Sequence, residues 1–177
     1  MVSVMSELLQ FSSEDAATQI DPLGLEPIPD DTRQRFLRFK LAEEDRTLLP
    51  LQDITEVLQL ATVEILPIPD ISDSILGVCN WRGEILWLTD LNALVGNSPL
   101  WHQVPLLDQP VVIVVQSTKK TIGLVVQQVD DVELIEPKSI HQQTDLYSSA
   151  LAPYVTGYLA DHKGTVLNAI AIIEQFF

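Results

Sequence analysis

The stretch that decides the fold runs from residue 75 to residue 96 and reads ILGVCNWRGEILWLTDLNALVG. Apolar residues lead into and out of the pair Arg82-Gly83, and glycine supplies the positive φ that a tight hairpin needs. Asp90 is placed to cap a helix, because apolar residues follow it at helical spacing and Gly96 stands where a glycine ends a helix. The stretch therefore predicts a β-hairpin followed by a short capped helix.

Other segments outside this stretch have the composition of strands. Leu37, Phe39 and Leu41 alternate with basic residues, which is the pattern of a strand with one face in water. Runs of β-branched residues on either side of polar turns predict two more hairpins later in the chain. Strands are predicted over residues 36–41, 47–51, 111–115, 122–126, 132–135, 155–159 and 166–170.

One short segment between the predicted strands has helical spacing instead. Asp53 is followed three residues later by Glu56, which is the spacing of a capping box. Ile54, Val57 and Leu58 would then share one face of a helix. The sequence therefore predicts a short amphipathic helix here.

The first and third hairpins look like copies of each other. Residues 77–83 and 157–164 both begin and end with glycine, and both precede an apolar strand and a short closing segment of helix. About five short strands per lobe, with glycine turns and few helices, indicate small closed barrels. We therefore expect a mainly β protein built from two related lobes.

Composition excludes several classes of function. The chain has 177 residues, 46% of them hydrophobic, and a formal net charge of −15. Such a charge argues against binding to nucleic acid or to an anionic membrane surface. No apolar run reaches the roughly 20 residues that span a bilayer. The only cysteine, Cys79, lies in an apolar strand and reads as a small buried side chain, and we expect a cytoplasmic protein.

Residues 1–33 differ in composition from the rest of the chain. Seven acidic residues and three prolines occur there without the period of a strand or a long helix, and the only basic residue is Arg33. We predict an acidic, flexible tail over 1–33 and a folded region over 34–177.

The sequence displays no catalytic constellation. His102, His141 and His162 are far apart, and none has a second ligand at metal-binding spacing. There is no nucleophile elbow and no phosphate-binding glycine loop. Asp90 is the acid that most resembles a catalytic group, yet helix capping accounts for it. We therefore expect no enzymatic activity, no metal and no cofactor.

The pattern Gly-x-x-Asn-x-Arg-Gly over residues 77–83, followed by an apolar strand and the pair Asp90-Leu91, resembles the CheW family of chemotaxis coupling proteins. The resemblance covers residues 35 to 177. Further matching segments are 36–41, 53–57, the prolines at 67 and 69, 122–126 and 154–157.

This resemblance implies two five-stranded, SH3-like β-barrels side by side, with an apolar groove between them. It implies a non-catalytic adaptor that joins the regulatory domain of a chemotaxis-type histidine kinase to the cytoplasmic helix tip of a chemoreceptor. The receptor helix would bind in a groove. The family's partner-binding and structural positions fall on Ile54, Glu56, Gly77, Arg82, Gly83, Gly123 and Val132.

Each of these positions also has a purely structural interpretation. Ile54 and Val132 can be core residues, the glycines can serve backbone geometry alone, and Glu56 can be a capping acid. Arg82 can brace the turn or contact a partner carboxylate.

Two residues depart from the family, and one alternative function stays open. Family members usually have proline at Trp87 and aspartate at Gln127, so contacts near these positions are expected to differ. The alternative is a small-molecule-binding β-barrel, which would need an open apolar cavity with a few polar groups.

Overall fold

The computed structural model describes residues 2–3, 31–41, 45–102, 109–118, 120–142, 147–160 and 164–177. Most of the predicted tail lies outside these residues, and so do residues 42–44, 103–108, 119, 143–146 and 161–163. The strands are β1 (Val2–Ser3), β2 (Gln34–Leu41), β3 (Asp45–Pro50), β4 (Ile54–Gln59), β5 (Ile75–Trp81), β6 (Glu84–Asp90), β7 (Val111–Ser117), β8 (Lys120–Val126), β9 (Gln128–Ile135), β10 (Ile140–His141), β11 (Val155–Leu159) and β12 (Gly164–Leu167). The helices are α1 (Leu91–Leu94) and α2 (Ala169–Glu174).

The described strands form two sheets, which make the two SH3-like barrels that the sequence predicted. The first sheet has the order β1-β4-β7-β8-β6-β5, and the second has the order β10-β11-β12-β3-β2-β9. Each contains five longer strands and one of two residues. From β2 onward, the chain forms two strands of the second barrel, then the five longer strands of the first, and then the rest of the second, so the two lobes are intertwined.

The two barrels repeat the same topology. The order β4-β7-β8-β6-β5 in the first corresponds to β9-β2-β3-β12-β11 in the second. Each barrel has one parallel pair, β6 with β8 and β12 with β3, and the other pairs are antiparallel. The similarity between the first and third hairpins in the sequence therefore reflects equivalent positions in two lobes.

The equivalence extends to single glycines at the start of each hairpin. A register shift occurs next to Gly77 in β5 and next to Gly157 in β11. A Cβ on Gly77 would lie 2.3 Å from the carbonyl oxygen of Leu66, and a Cβ on Gly157 would lie 2.6 Å from that of His141. In both lobes, the missing side chain lets another backbone segment approach the bulge.

The barrels share one core and each has an interior of its own. The shared cluster includes Leu37 and Phe39 of β2, Ile113 of β7 and Ile172 of α2. The interior of the first barrel holds buried Cys79 among aliphatic side chains, and burial raises the pKa of its thiol. The interior of the second barrel contains Phe36, Leu48, Ile135, Leu159 and Val166.

The predicted helix over 53–58 is wrong, because residues 54–59 form strand β4. The register of β4 on β7 shifts between Ile54 and Glu56. This bulge places Ile54 and Val57 together in the shared core, whereas Leu58 points into the first barrel. The bulge therefore produces the three-residue spacing that resembles a helix. A single 3-10 turn, Leu51–Asp53, precedes the strand.

The last predicted strand is too long. Strand β12 ends at Leu167, and the side chain of Asn168 then accepts a hydrogen bond from the backbone N–H of Ala171 at 3.1 Å. This capping begins α2 at Ala169, so Ile170 is helical. In the first lobe Asp90 caps α1 in the same way, as the sequence predicted.

Candidate interaction site

The tip of the first hairpin is a two-residue turn with an unusual central residue. Trp81 of β5 pairs with Glu84 of β6, and both Arg82 (φ 54°) and Gly83 (φ 86°) have positive φ. The amide of Gly83 donates a hydrogen bond to Oδ1 of Asn80 at 2.9 Å. Two positive φ angles are the mark of a type I′ turn, which matches the twist of the flanking strands. An arginine in this conformation is strained, so other contacts must hold it there.

Those contacts come from Glu56 on β4. Its Oε2 accepts hydrogen bonds from the indole N–H of Trp81 and from Nη2 of Arg82, both at 2.9 Å. The guanidinium carbon of Arg82 also lies 5.0 Å from the centroid of the Trp81 ring. A charge-assisted hydrogen bond and a cation–π contact thus bind the turn to β4.

The three side chains differ sharply in exposure. The side chain of Glu56 is 12% exposed and Trp81 is buried, whereas the side chain of Arg82 is 63% exposed. Glu56 therefore holds the cluster together, and Arg82 keeps most of its guanidinium edge in water. Ion pairs as exposed as this one contribute little to stability, so the geometry of Arg82 matters more than its charge.

Exposed apolar side chains lie on the same barrel. Ile85, in the strand that leaves the turn, is 73% exposed, and Val63 and Leu66 are 89% and 62% exposed. Leu66 forms a two-way backbone bridge to Val78 of β5, at 2.8 and 2.9 Å. Exposed aliphatic side chains on the barrel that carries Arg82 are typical of a protein-binding surface.

The structure brings together only part of the predicted set. Glu56, Arg82 and Gly83 meet at the turn, and Gly77 lies at the base of the same hairpin. Ile54 is 7% exposed and belongs to the shared core.

The other two predicted positions lie away from the turn. Gly123 lies in the interior of the first barrel, where a Cβ would approach Leu88 and Val112 to 2.7 Å. Val132 is on β9 of the second barrel, partly buried against the shared core.

Trp81 is the member of the cluster that the sequence analysis missed as a site residue. A buried indole N–H requires an acceptor, and this one finds Glu56, 25 residues earlier in the chain. The need for an acceptor is visible in the sequence, but its identity depends on β4 passing beside the hairpin.

The barrel interiors do not favour the small-molecule alternative. Both are filled by the apolar clusters, and the cavity beside the second barrel, about 270 Å³, lies against charged groups instead. Beside it, Glu133 accepts hydrogen bonds from Arg38 at 2.9 Å and from Arg46 at 3.0 Å, so these charged side chains pair with one another. Among the described residues, no cluster of three or more metal-ligating side chains occurs.

A family model described as the CheW-like domain matches residues 35–175. The chain belongs to the CheW-like domain family. The matched region includes both barrels from β2 onward and excludes β1. Within the described residues, no helix is both long enough and apolar enough to cross a membrane.

The chain is also similar to one curated protein and to one solved structure. The chain is 30% identical over 94 residues to a chemotaxis protein CheW of Rhizobium meliloti (strain 1021), an alignment that covers 53% of this chain and 58% of that relative. It also resembles the crystal structure of the scaffolding protein TtCheW from Thermoanaerobacter tengcongensis. That likeness has a TM-score of 0.64 at 24% identity and covers 76% of this chain and 87% of the other.

Among the described residues, the most deeply buried acid has a structural role. Asp90 is fully buried, and its two oxygens accept hydrogen bonds from the amides of Ala93 at 3.1 Å and Leu100 at 2.6 Å. Burial raises the pKa of this carboxyl, although the backbone donors oppose the shift. Asp90 thus caps α1 and also fixes the segment that follows the helix.

Asp90→Ala should lower the free energy of unfolding by about 2 to 4 kcal/mol, because it removes a cap and leaves the buried amide of Leu100 without its acceptor. The matched control is Asn168→Ala, which removes only the cap of α2 and should cost about 1 kcal/mol. Urea unfolding of the two variants measures the difference. Equal losses of unfolding free energy in the two variants would show that the hydrogen bond from Leu100 to Asp90 contributes nothing to stability.

Proposed function

We propose that this CheW-like chain is a non-catalytic, cytoplasmic adaptor that couples a chemotaxis-type histidine kinase to the cytoplasmic tips of chemoreceptors. The regulatory domain of the kinase and a receptor helix are its partners. The proposal draws on the family assignment and on the relative named as a chemotaxis protein.

The exposed Arg82 on the first barrel is the observation that carries the proposal. Glu56 and Trp81 fix its position from beneath, so little side-chain freedom is left to lose on binding. Arginine can then meet a carboxylate or backbone carbonyls of a partner with its free edge. Ile85, on the strand that leaves the same turn, supplies an exposed apolar side chain.

Two polar side chains at this turn act in packing and turn geometry. Glu56 bonds to the indole and the guanidinium, and Asn80 bonds to the backbone of the turn. A surface that positions partners needs shape, exposed apolar area and a fixed charge, and it needs no acid, base or nucleophile. The arrangement suits an adaptor for that reason.

Titration calorimetry against the regulatory domain of a chemotaxis-type kinase from the same organism tests the proposal. We expect saturable one-to-one binding. Arg82→Ala and Ile85→Asp should each weaken it by about 2 kcal/mol, or about thirtyfold in Kd, because both side chains are exposed at the turn.

The matched control is Ile170→Asp, which places the same charge at an exposed isoleucine on α2 in the C-terminal part of the chain. It should leave the Kd unchanged, and all three variants should keep the unfolding midpoint of the parent protein. Absence of binding to such a kinase would contradict the proposed function. Equal Kd values for all variants would exclude the turn as the contact.

A further inference from the structure

Strand β4 is the last long strand at one edge of the first sheet, and the chain itself covers part of that edge. Strand β1 pairs with it antiparallel, with Val2 opposite Gln59 and Ser3 opposite Leu58. This cover comes from outside the family-matched region, which starts at residue 35. It engages two of the six residues of β4.

The equivalent edge of the second sheet is protected in a different way. Strand β9 corresponds to β4, and no strand of the described residues pairs with its outer side. It carries three carboxylates, Asp130, Asp131 and Glu133, whereas β4 carries one, Glu56. Charged residues on an edge strand discourage pairing with another chain. Strand β4 lacks this protection and has β1 instead.

We propose that the outer edge of β4 is a strand-addition surface that β1 closes in the same chain, and that its competing occupant is the β4 edge of a second copy. Two such edges would pair antiparallel about a two-fold axis. In the centred register Glu56 lies opposite Val57 and Ile54 lies opposite Gln59, so no like charges face each other.

This arrangement makes the association of two copies conditional on the release of β1. Pairing within one chain does not depend on protein concentration, whereas pairing between copies does. A cover of two residues is also shorter than the six-residue strand that it protects. The inference is independent of the adaptor function, because it uses the sheet edge and not the turn at Arg82.

The test removes the backbone donors of β1. In an antiparallel pair, the backbone N–H groups of successive residues point to opposite sides, so one of the N–H groups of Val2 and Ser3 faces β4. Proline has no backbone N–H, so Val2→Pro together with Ser3→Pro removes that donor. The matched control is Ser12→Pro with Ser13→Pro, which leaves Val2 and Ser3 intact. Sedimentation velocity of the full chain over a wide concentration range measures self-association.

We expect the parent protein and the control to stay monomeric, and the Val2/Ser3 variant to dimerise at least about tenfold more tightly. Adding Thr55→Lys to that variant should restore the monomer, since Thr55 is exposed on β4 and lysine blocks edge pairing. A Val2/Ser3 variant that stays monomeric would overturn the proposal. So would a dimer that Thr55→Lys leaves intact.

Disulfide formation between introduced cysteines tests whether the β1 strand that pairs with β4 belongs to the same chain. With Cys79→Ala as background, cysteines at positions 2 and 59 face each other across the pair and should join within one chain. The control pair at positions 2 and 55 is four residues out of register and should stay reduced. Cross-links only between chains, or equal cross-linking of both pairs, would overturn the assignment of β1 as the cover.

Discussion

Gly77→Ala is expected to lower the free energy of unfolding by about 3 to 5 kcal/mol. Gly77 has φ +143°, and an added Cβ would lie 2.3 Å from the carbonyl oxygen of Leu66. That carbonyl accepts the hydrogen bond from the amide of Val78, so the backbone bridge must move for the methyl group to fit. Chemical denaturation monitored by tryptophan fluorescence measures the loss.

Gly83→Ala is the matched control for this substitution. Gly83 also has a positive φ, +86°, but nothing lies within 4 Å of an added Cβ. Gly83→Ala should therefore lower the free energy of unfolding only by the conformational strain of alanine at positive φ, about 1 kcal/mol. If the two variants lose the same free energy of unfolding, the close approach of the Leu66 carbonyl contributes nothing to the effect. Strain at positive φ would then account for both losses.

Ile54→Arg is expected to destabilise the protein by about 4 kcal/mol or more, because it places an unpaired charge in the shared core. Ile54 is 7% exposed and packs with residues of both barrels. The control is Thr55→Arg on the same strand, where an exposed side chain should change stability by about 0.5 kcal/mol or less. Thermal unfolding of both variants, with the parent beside them, gives the comparison.

The outcome also decides how Ile54 relates to partner binding. A large fall in the unfolding midpoint means that any loss of binding by Ile54→Arg follows from unfolding. If the midpoint stayed at the parent value, the side chain would be accessible in solution and the packing of β4 described above would be contradicted.

The sequence predicted the hairpin over 75–90 correctly because its signals are local. Gly83 supplies a positive φ, Asp90 caps the helix, and apolar residues alternate on both sides of the turn. The relation between the two lobes was also visible, since Gly77 and Gly157 mark equivalent bulges. Such features depend on residues close together in the chain.

The errors arise where tertiary structure changes a local pattern. The spacing of Ile54 and Val57 looks helical only because a bulge, set by pairing with β7, brings both to one face. The end of β12 was misplaced because Asn168 caps a helix that apolar composition alone does not distinguish from a strand.

The contact between Glu56 and the turn could not be predicted for a similar reason. Glu56 meets Trp81 and Arg82 across 25 and 26 residues of chain. Strands β4 and β5 are not neighbours in the sheet order, so the curling of the sheet into a barrel decides which acid reaches the indole. The resemblance marked Glu56 and Arg82 separately. The structure shows that they form one cluster, and it adds Trp81, whose indole N–H bonds to Glu56 and whose ring lies against the guanidinium.

Reconstituted signalling tests the central claim most directly. Receptor-containing membranes and a chemotaxis-type kinase from the same organism are combined with the parent protein or with the Arg82→Ala, Ile85→Asp double variant, and kinase autophosphorylation is followed. We predict a several-fold rise that requires receptor, kinase and the parent protein together, and a much smaller rise with the variant. Autophosphorylation that is the same with and without this protein would contradict the account.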